Sequence, residues 1–252
     1  IMSKEEVGHN FLARLGKTRL RPGGRKATEW LIANGDFNEN KKVLEVACNM
    51  CTTAIGLAKQ YGCHIEGVDL DENALEKAKA NIAANGLQDK IHVQRANAVK
   101  LPFENNSFDV VINEAMLTML PVEAKMKAVA EYFRVLKPGG FLLTHDVMLM
   151  GNDHKTILEN MRKAINVTVT PLTKEGWKNI FHESGFRNVE TFSGGMTLLS
   201  PKGMIYDEGI LGTLKIIKNA MKPENREQFK RMFKTFNDKD RKLHFIAVCS
   251  QK

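Results

Sequence analysis

Residues 43–51 read VLEVACNMC, and residues 65–70, beyond a helix-like segment, read IEGVDL. An apolar run carries Glu45 near its end, a turn of small residues opens into a helix, and a second apolar run stops at Asp69. The two carboxylates stand 24 positions apart, close to the roughly 20-residue spacing of nucleotide-binding βαβ units. In such a unit the first turn passes close under the ligand. That favours small residues or residues tolerating positive φ, while the second carboxylate accepts the ribose hydroxyl hydrogens. Asp69 is placed for the second role. The usual glycines of the turn are replaced by Ala47, Asn49 and Cys51. Ala is nearly as small, and Asn enters the left-handed region more readily than most residues. Cys51 is the awkward replacement, expected at the point of close approach.

Outward from this unit, strand-like runs recur at residues 43–47, 64–69, 91–95, 108–113, 140–146, 187–192 and 244–250. Helical patterns separate the early ones, most clearly at 71–84. There Asp71 can cap, Ala74, Leu75, Ala78 and Ile82 share a face, and Asn85-Gly86 stops the helix. Alternation of strand and helix predicts an α/β, doubly wound, Rossmann-like sheet.

The chain of 252 residues is long enough for one domain with a modest insertion. Its 43% hydrophobic and 26% charged residues are ordinary for a soluble globular protein. No apolar run approaches the roughly 20 residues of a membrane span, and no signal-peptide pattern opens the chain. A cytoplasmic protein is expected. Cys48 and Cys51 have CxxC spacing, but no second Cys/His pair is placed to complete a zinc site, so no metal is expected. The net charge of +8 is compatible with nucleic acid, anionic lipid or an acidic substrate.

Two longer phrases narrow the reading: HVQRANAVKLPFENNSFDVVINEAMLTMLP at 92–121 and EYFRVLKPGGFLLTHDV at 131–147. With the first unit, their order and wording resemble class I S-adenosylmethionine-dependent methyltransferases. Within that class the likeness is to the small-molecule branch typified by ubiquinone and menaquinone biosynthesis enzymes. The resemblance covers roughly residues 43–192 and the final strand. It implies a seven-stranded sheet with the last strand antiparallel, S-adenosylmethionine as cofactor, and methyl transfer to a small organic acceptor. Nucleic acid is not the expected partner: the chain reads NEAM at 113–116, without the Asn/Asp-Pro-Pro-aromatic signature of enzymes that methylate planar nitrogens. An RNA or protein methyltransferase, or a cofactor-binding protein that has lost catalysis, are the rival readings. Nothing here fixes the oligomeric state.

By the same resemblance Glu45 anchors the turn or the methionine ammonium. Ala47, Asn49 and Cys51 form the turn, Leu70 packs on the adenine, and Asn97, with Ala98, meets its amino group. Asn113 and Glu114 face the methyl donor. Methyl transfer from a sulfonium develops no oxyanion, so a base is needed only when the acceptor carries a proton. Glu114, His145 and Asp146 are the candidates. Two regions lie outside the core: a basic N-terminal arm and helix within residues 1–42, and an insertion at 194–242 with helix-like stretches at 203–221 and 223–236. Both are expected to form a cap over a core of residues 43–252, with Met196, Met204, Met221 and Met232 supplying an adaptable apolar surface. Met204 and Tyr206 are expected to touch the acceptor, and the cationic arm leaves room for an acidic group on it.

Overall fold

The computed structural model describes residues 6–151, 154–237 and 242–252. Residues 1–5 of the expected arm and 238–241 of the expected cap lie outside the described residues. Helices α1 (Gly8–Leu15) and α2 (Gly24–Asn34) precede an alternating series: β1 (Lys42–Val46), α3 (Thr52–Tyr61), β2 (His64–Asp69), α4 (Glu72–Ala84) and β3 (Ile91–Arg95). Next come β4 (Phe108–Glu114), a 3₁₀ turn (Leu117–Met119), α5 (Val122–Val135), β5 (Leu136–Leu149), α6 (His154–Ile165) and α7 (Lys174–Glu183). The chain ends with β6 (Arg187–Gly195), α8 (Pro201–Ala220), α9 (Pro223–Phe236) and β7 (Leu243–Gln251).

The strands form a seven-stranded sheet in the order β3-β2-β1-β4-β5-β7-β6, with β7 antiparallel to both neighbours. Reversal of strand order between β1 and β4 opens a crevice at the carboxyl ends of the strands. Period-2 alternation divides each strand between two layers. Val43 and Ile112 join Leu31, Leu57 and Ala78 on the α2/α3/α4 face. Leu44 and Val111 join Val129, Tyr132 and Phe181 on the α5/α7 face. Local chemistry agrees with this packing. Asp71 caps α4 by accepting from the N–H groups of Asn73 and Ala74, and Ala74, Leu75, Ala78 and Ile82 are its buried stripe.

A third cluster covers the carboxyl edge. It gathers Phe11 and Leu15 of α1, Met161 and Ile165 of α6, Met204 and Ile216 of α8, and Met232 and Phe236 of α9 around Val147 and Leu149 at the end of β5. Thus arm and insertion share one apolar core rather than sitting apart. Ion pairing locks them together. Lys17 is fully buried, with Nζ 3.5 Å from Asp207 and 3.3 Å from Glu208, while Glu208 also accepts from the N–H groups of Thr18 and Arg19. Gly24, at φ +54°, must be glycine: a Cβ there would lie 2.5 Å from both Asp207 carboxylate oxygens. α8 bends at Gly209, whose φ of 71° and ψ of 174° break the helix just past this acidic pair.

Candidate functional site

At the β1–α3 turn, Ala47, Asn49 and Cys51 take φ of 56°, 48° and 59°. A glycine turn is therefore built without glycine, at a cost of about 1–2 kcal/mol per non-glycine residue in this region. Carboxylates hold it in place. The Asn49 N–H donates to Asp69 Oδ2 at 2.9 Å, and the Asp71 N–H donates to Oδ1 at 3.0 Å. Glu45 accepts from the N–H of Ala54 in the first turn of α3 at 3.1 Å. Burial pushes the Glu45 carboxyl up to about 8, with Arg21 opposing and Glu114 adding to the shift. Glu45, Ala47, Asn49 and Asp69 line one end of a cavity of about 330 Å³, together with Asp71 and Lys77.

Five of the expected residues do not line this wall. Cys51 has the left-handed backbone the turn requires, but its side chain is wholly buried in the α2/α3/α4 layer, and Met50 and Thr52 face the cavity instead. A bond to Cys51 and burial push the Cys48 thiol up, the opposite of what a thiolate pair for metal needs. Leu70 is more than half exposed and lies off the wall. Asn97 spends its side-chain oxygen on the Val99 N–H at 3.1 Å, closing a local turn, and Ala98 is packed in the α5/α7 layer. Asn113 also points into that layer, because strand alternation sends it to the face opposite Glu114. There its Nδ2 donates to Thr144 Oγ1 at 3.0 Å.

Glu114 and His145 pair across β4 and β5 in register, so their side chains share the α2/α3 face. Gly23 N–H donates to His145 Nε2 at 2.9 Å, so Nδ1 carries the ring proton and donates to Glu114 Oε2 at 3.0 Å. Glu114 further accepts from Thr28 Oγ1 at 2.5 Å and Thr53 Oγ1 at 2.9 Å, and pairs with Arg21 at 3.3 Å. Burial by itself would raise this carboxyl. The Arg21 charge, with the bonds from His145 and Thr28, instead holds it down to about 2. Both ring nitrogens of His145 are thus engaged and His145 is absent from the cavity wall, whereas Glu114 lines the cavity with its oxygens bonded to the arm and to α3.

The other end of the cavity is apolar. Met116 and Met119 come from the β4 exit, Met161 and Val169 from α6 and its following loop, and Met196 and Met232 from the insertion. Met204 packs behind this wall. Met221 is exposed, and Tyr206 is on the surface with its hydroxyl donating to Glu29 at 2.8 Å, so neither reaches the cavity. Asp146 borders the apolar end, accepting from the N–H groups of Thr118 at 3.0 Å and Val147 at 2.8 Å, and burial raises its carboxyl. In the basic arm, Arg14 pairs with Glu6, Lys17 with Asp207 and Glu208, Arg21 with Glu114 and Arg25 with Glu29.

Residues 43–140 match a methyltransferase domain family. The whole chain is 86% identical over 251 residues to an uncharacterized protein of Haemophilus influenzae, all of both chains being covered. It is 32% identical over 132 residues to the methyltransferase GfsG of Streptomyces halstedii, covering 52% of this chain and 47% of that one. The chain thus spans about half the length of that curated methyltransferase. Its fold is that of the MccD protein crystal structure, with a TM-score of 0.74 at 20% identity over 92% of this chain and 99% of that one. The chain belongs to the class I S-adenosylmethionine-dependent methyltransferases.

The cofactor of this methyltransferase is S-adenosylmethionine, and the acidic end of the cavity suits it. Asp69 presents a carboxylate already oriented by two backbone N–H groups, and the buried Nδ1 of His9 has no hydrogen-bond partner. His9, a weaker base candidate whose direction nothing in the sequence fixes, is a wall residue lying close enough to Asp69 and Asp71 to feel both charges. Lys125 is a residue that the sequence did not single out. It is wholly buried in α5 and donates to the carbonyls of Leu120 and Thr170 at 2.6 Å, tying the β4 exit to the loop after α6. A lysine inside an amphipathic helix carries no mark of burial in its spacing. Among the described residues no group of three or more His, Cys, Asp or Glu is arranged to hold a metal, and no helix is long and apolar enough to cross a membrane.

Proposed function

We propose that this methyltransferase transfers the methyl group of S-adenosylmethionine to an uncharged, largely apolar small molecule. The observation that carries the reading is one continuous cavity with a carboxylate-rich end at Asp69 and a methionine-lined end at Met161, Met196 and Met232. When bound, the cofactor supplies a methyl group on a positively charged sulfur. Asp69 accepts from the ribose hydroxyls, the turn at Ala47 and Asn49 supports the nucleotide, and Glu45 holds the first turn of α3 beneath it. The arm and the insertion wall off water and position the acceptor, which supplies most of what an in-line displacement requires. Where the acceptor must lose a proton, Asp146 is the group assigned to take it, since Glu114 and His145 are occupied by each other and by the arm. The free, buried cysteines fit a reducing compartment, and we place the protein in the cytosol.

The test is a transfer assay with radiolabelled methyl donor across matched apolar phenols, alcohols, amines and carboxylates, with RNA and bulk protein as controls. Turnover on neutral apolar compounds is expected. Turnover confined to RNA, protein or carboxylates overturns the acceptor class. Calorimetric binding of donor with no transfer to any of them marks a cofactor sensor instead.

A further inference from the structure

The outer face of α8 is apolar and uncovered. Past the bend at Gly209, Ile210, Leu214, Ile217 and Met221 recur at helical spacing and form one stripe, with Leu211 beside it. Ile210 is 67% exposed, Leu211 83% and Leu214 58%. The flanking face of the same helix, with Thr213, Ile216 and Ala220 about 100° round from the stripe, is already buried against the protein. The apolar arc of this helix is therefore wider than the part the protein covers, and an arc of that width is normally buried throughout. One layer is therefore missing, and a patch of this kind marks a contact site.

Charge selects the occupant. Residues 209–222 read GILGTLKIIKNAMK, with three lysines and no carboxylate. Lys215, Lys218 and Lys222 are exposed and join no ion pair found among the described residues. Helical geometry places all three to one side of the stripe. A second copy of the chain would bring these lysines against their equivalents, and the net charge of +8 adds to that repulsion. An anionic bilayer surface satisfies both features: the stripe enters the headgroup boundary while the lysines reach lipid phosphates. We infer that α8 is an interfacial helix that docks this protein reversibly on anionic membranes. The helix does not span: it is too short in apolar length, and its inner face belongs to the protein. The inference is independent of methyl transfer, because binding is read without turnover.

Cosedimentation of the full chain with phosphatidylcholine vesicles, pure or carrying about one-third phosphatidylglycerol, tests it. Binding to the anionic vesicles only, weakened by high salt, is expected. Lys218→Gln and Lys222→Gln should each weaken it about fivefold. The double variant Leu211→Asp/Leu214→Asp should lower it by roughly tenfold or more. Both residues are exposed, so the fold and the calorimetric affinity for S-adenosylmethionine should be kept. Absence of vesicle binding overturns the inference. So does equal binding to pure phosphatidylcholine, or a concentration-dependent dimer in sedimentation velocity that Leu211→Asp/Leu214→Asp dissociates while vesicle binding is unaffected.

Discussion

The two ends of one cavity are built by different means. The cofactor end comes from two consecutive strand–turn–helix passages, so its carboxylates, turn and helix cap lie within residues 45–77. The acceptor end draws on α1, the β4 exit, α6, the β6–α8 loop and α9, separated by more than two hundred positions. The first is a local motif whose geometry follows from strand register. The second exists only because ion pairs and apolar packing bring remote helices together. Removing the Asp69 carboxylate at the cofactor end should act chiefly on donor affinity. A change in the clamps should act on stability and on the acceptor.

The largest effect is expected at the clamp. Glu114→Gln removes a carboxylate held down to about 2 by Arg21, His145 and Thr28, and should destabilise the fold by about 3 kcal/mol at neutral pH. Because the folded value lies below the unfolded one, this stabilisation is present above pH 4.5 and is lost as pH falls towards 2. Denaturant titrations of both proteins should therefore converge through that window, and a constant gap would show that Glu114 does not carry the clamp. Next, Asp69→Ala should weaken S-adenosylmethionine binding by about 1.5–3 kcal/mol in calorimetry, with thermal stability of the unliganded protein changed far less. Equal loss of both would mean that Asp69 serves the turn rather than the ligand.

At the acceptor end, Met161→Leu conserves volume and should cost under about 1.5 kcal/mol of stability. It should shift KM for the acceptor severalfold and leave donor affinity unchanged. A donor affinity that moved instead would merge the two ends into one site. The smallest effect concerns the strained turn. Ala47→Gly should raise stability by about 0.5–1 kcal/mol, the left-handed penalty less the added chain entropy. Cys51→Gly at the same φ should give no such gain, because it empties a core position. Cys51→Phe should damage folding rather than merely block the cofactor. A Phe variant with unchanged melting would place that side chain back in the cavity.

Legibility follows the same division. Glu45, Asp69, the α4 cap at Asp71 and the three left-handed positions were readable, because backbone requirements of a βαβ turn fall on residues a fixed distance apart. Leu70, Asn97 and Asn113 stand off the cavity wall, and for Asn97 and Asn113 the cause is a single-residue matter: whether a side chain closes its own turn, and which face a strand residue takes. His145 and Glu114 carried the right chemistry at strand ends, yet Gly23, Arg21, Thr28 and Thr53 consume it, and none of these lies within 60 residues of Glu114.

By itself the sequence determined the sheet, the cofactor and the carboxylate at the end of β2 that lines the cavity, since local periodicity, short spacings and family phrases encode them directly. Only the tertiary structure decided that Lys17 of the basic arm pairs with Asp207 and Glu208, that Lys125 is buried, and that methionines from distant segments meet in one wall. Those outcomes depend on which charges find partners and which apolar faces meet, and a linear pattern holds neither.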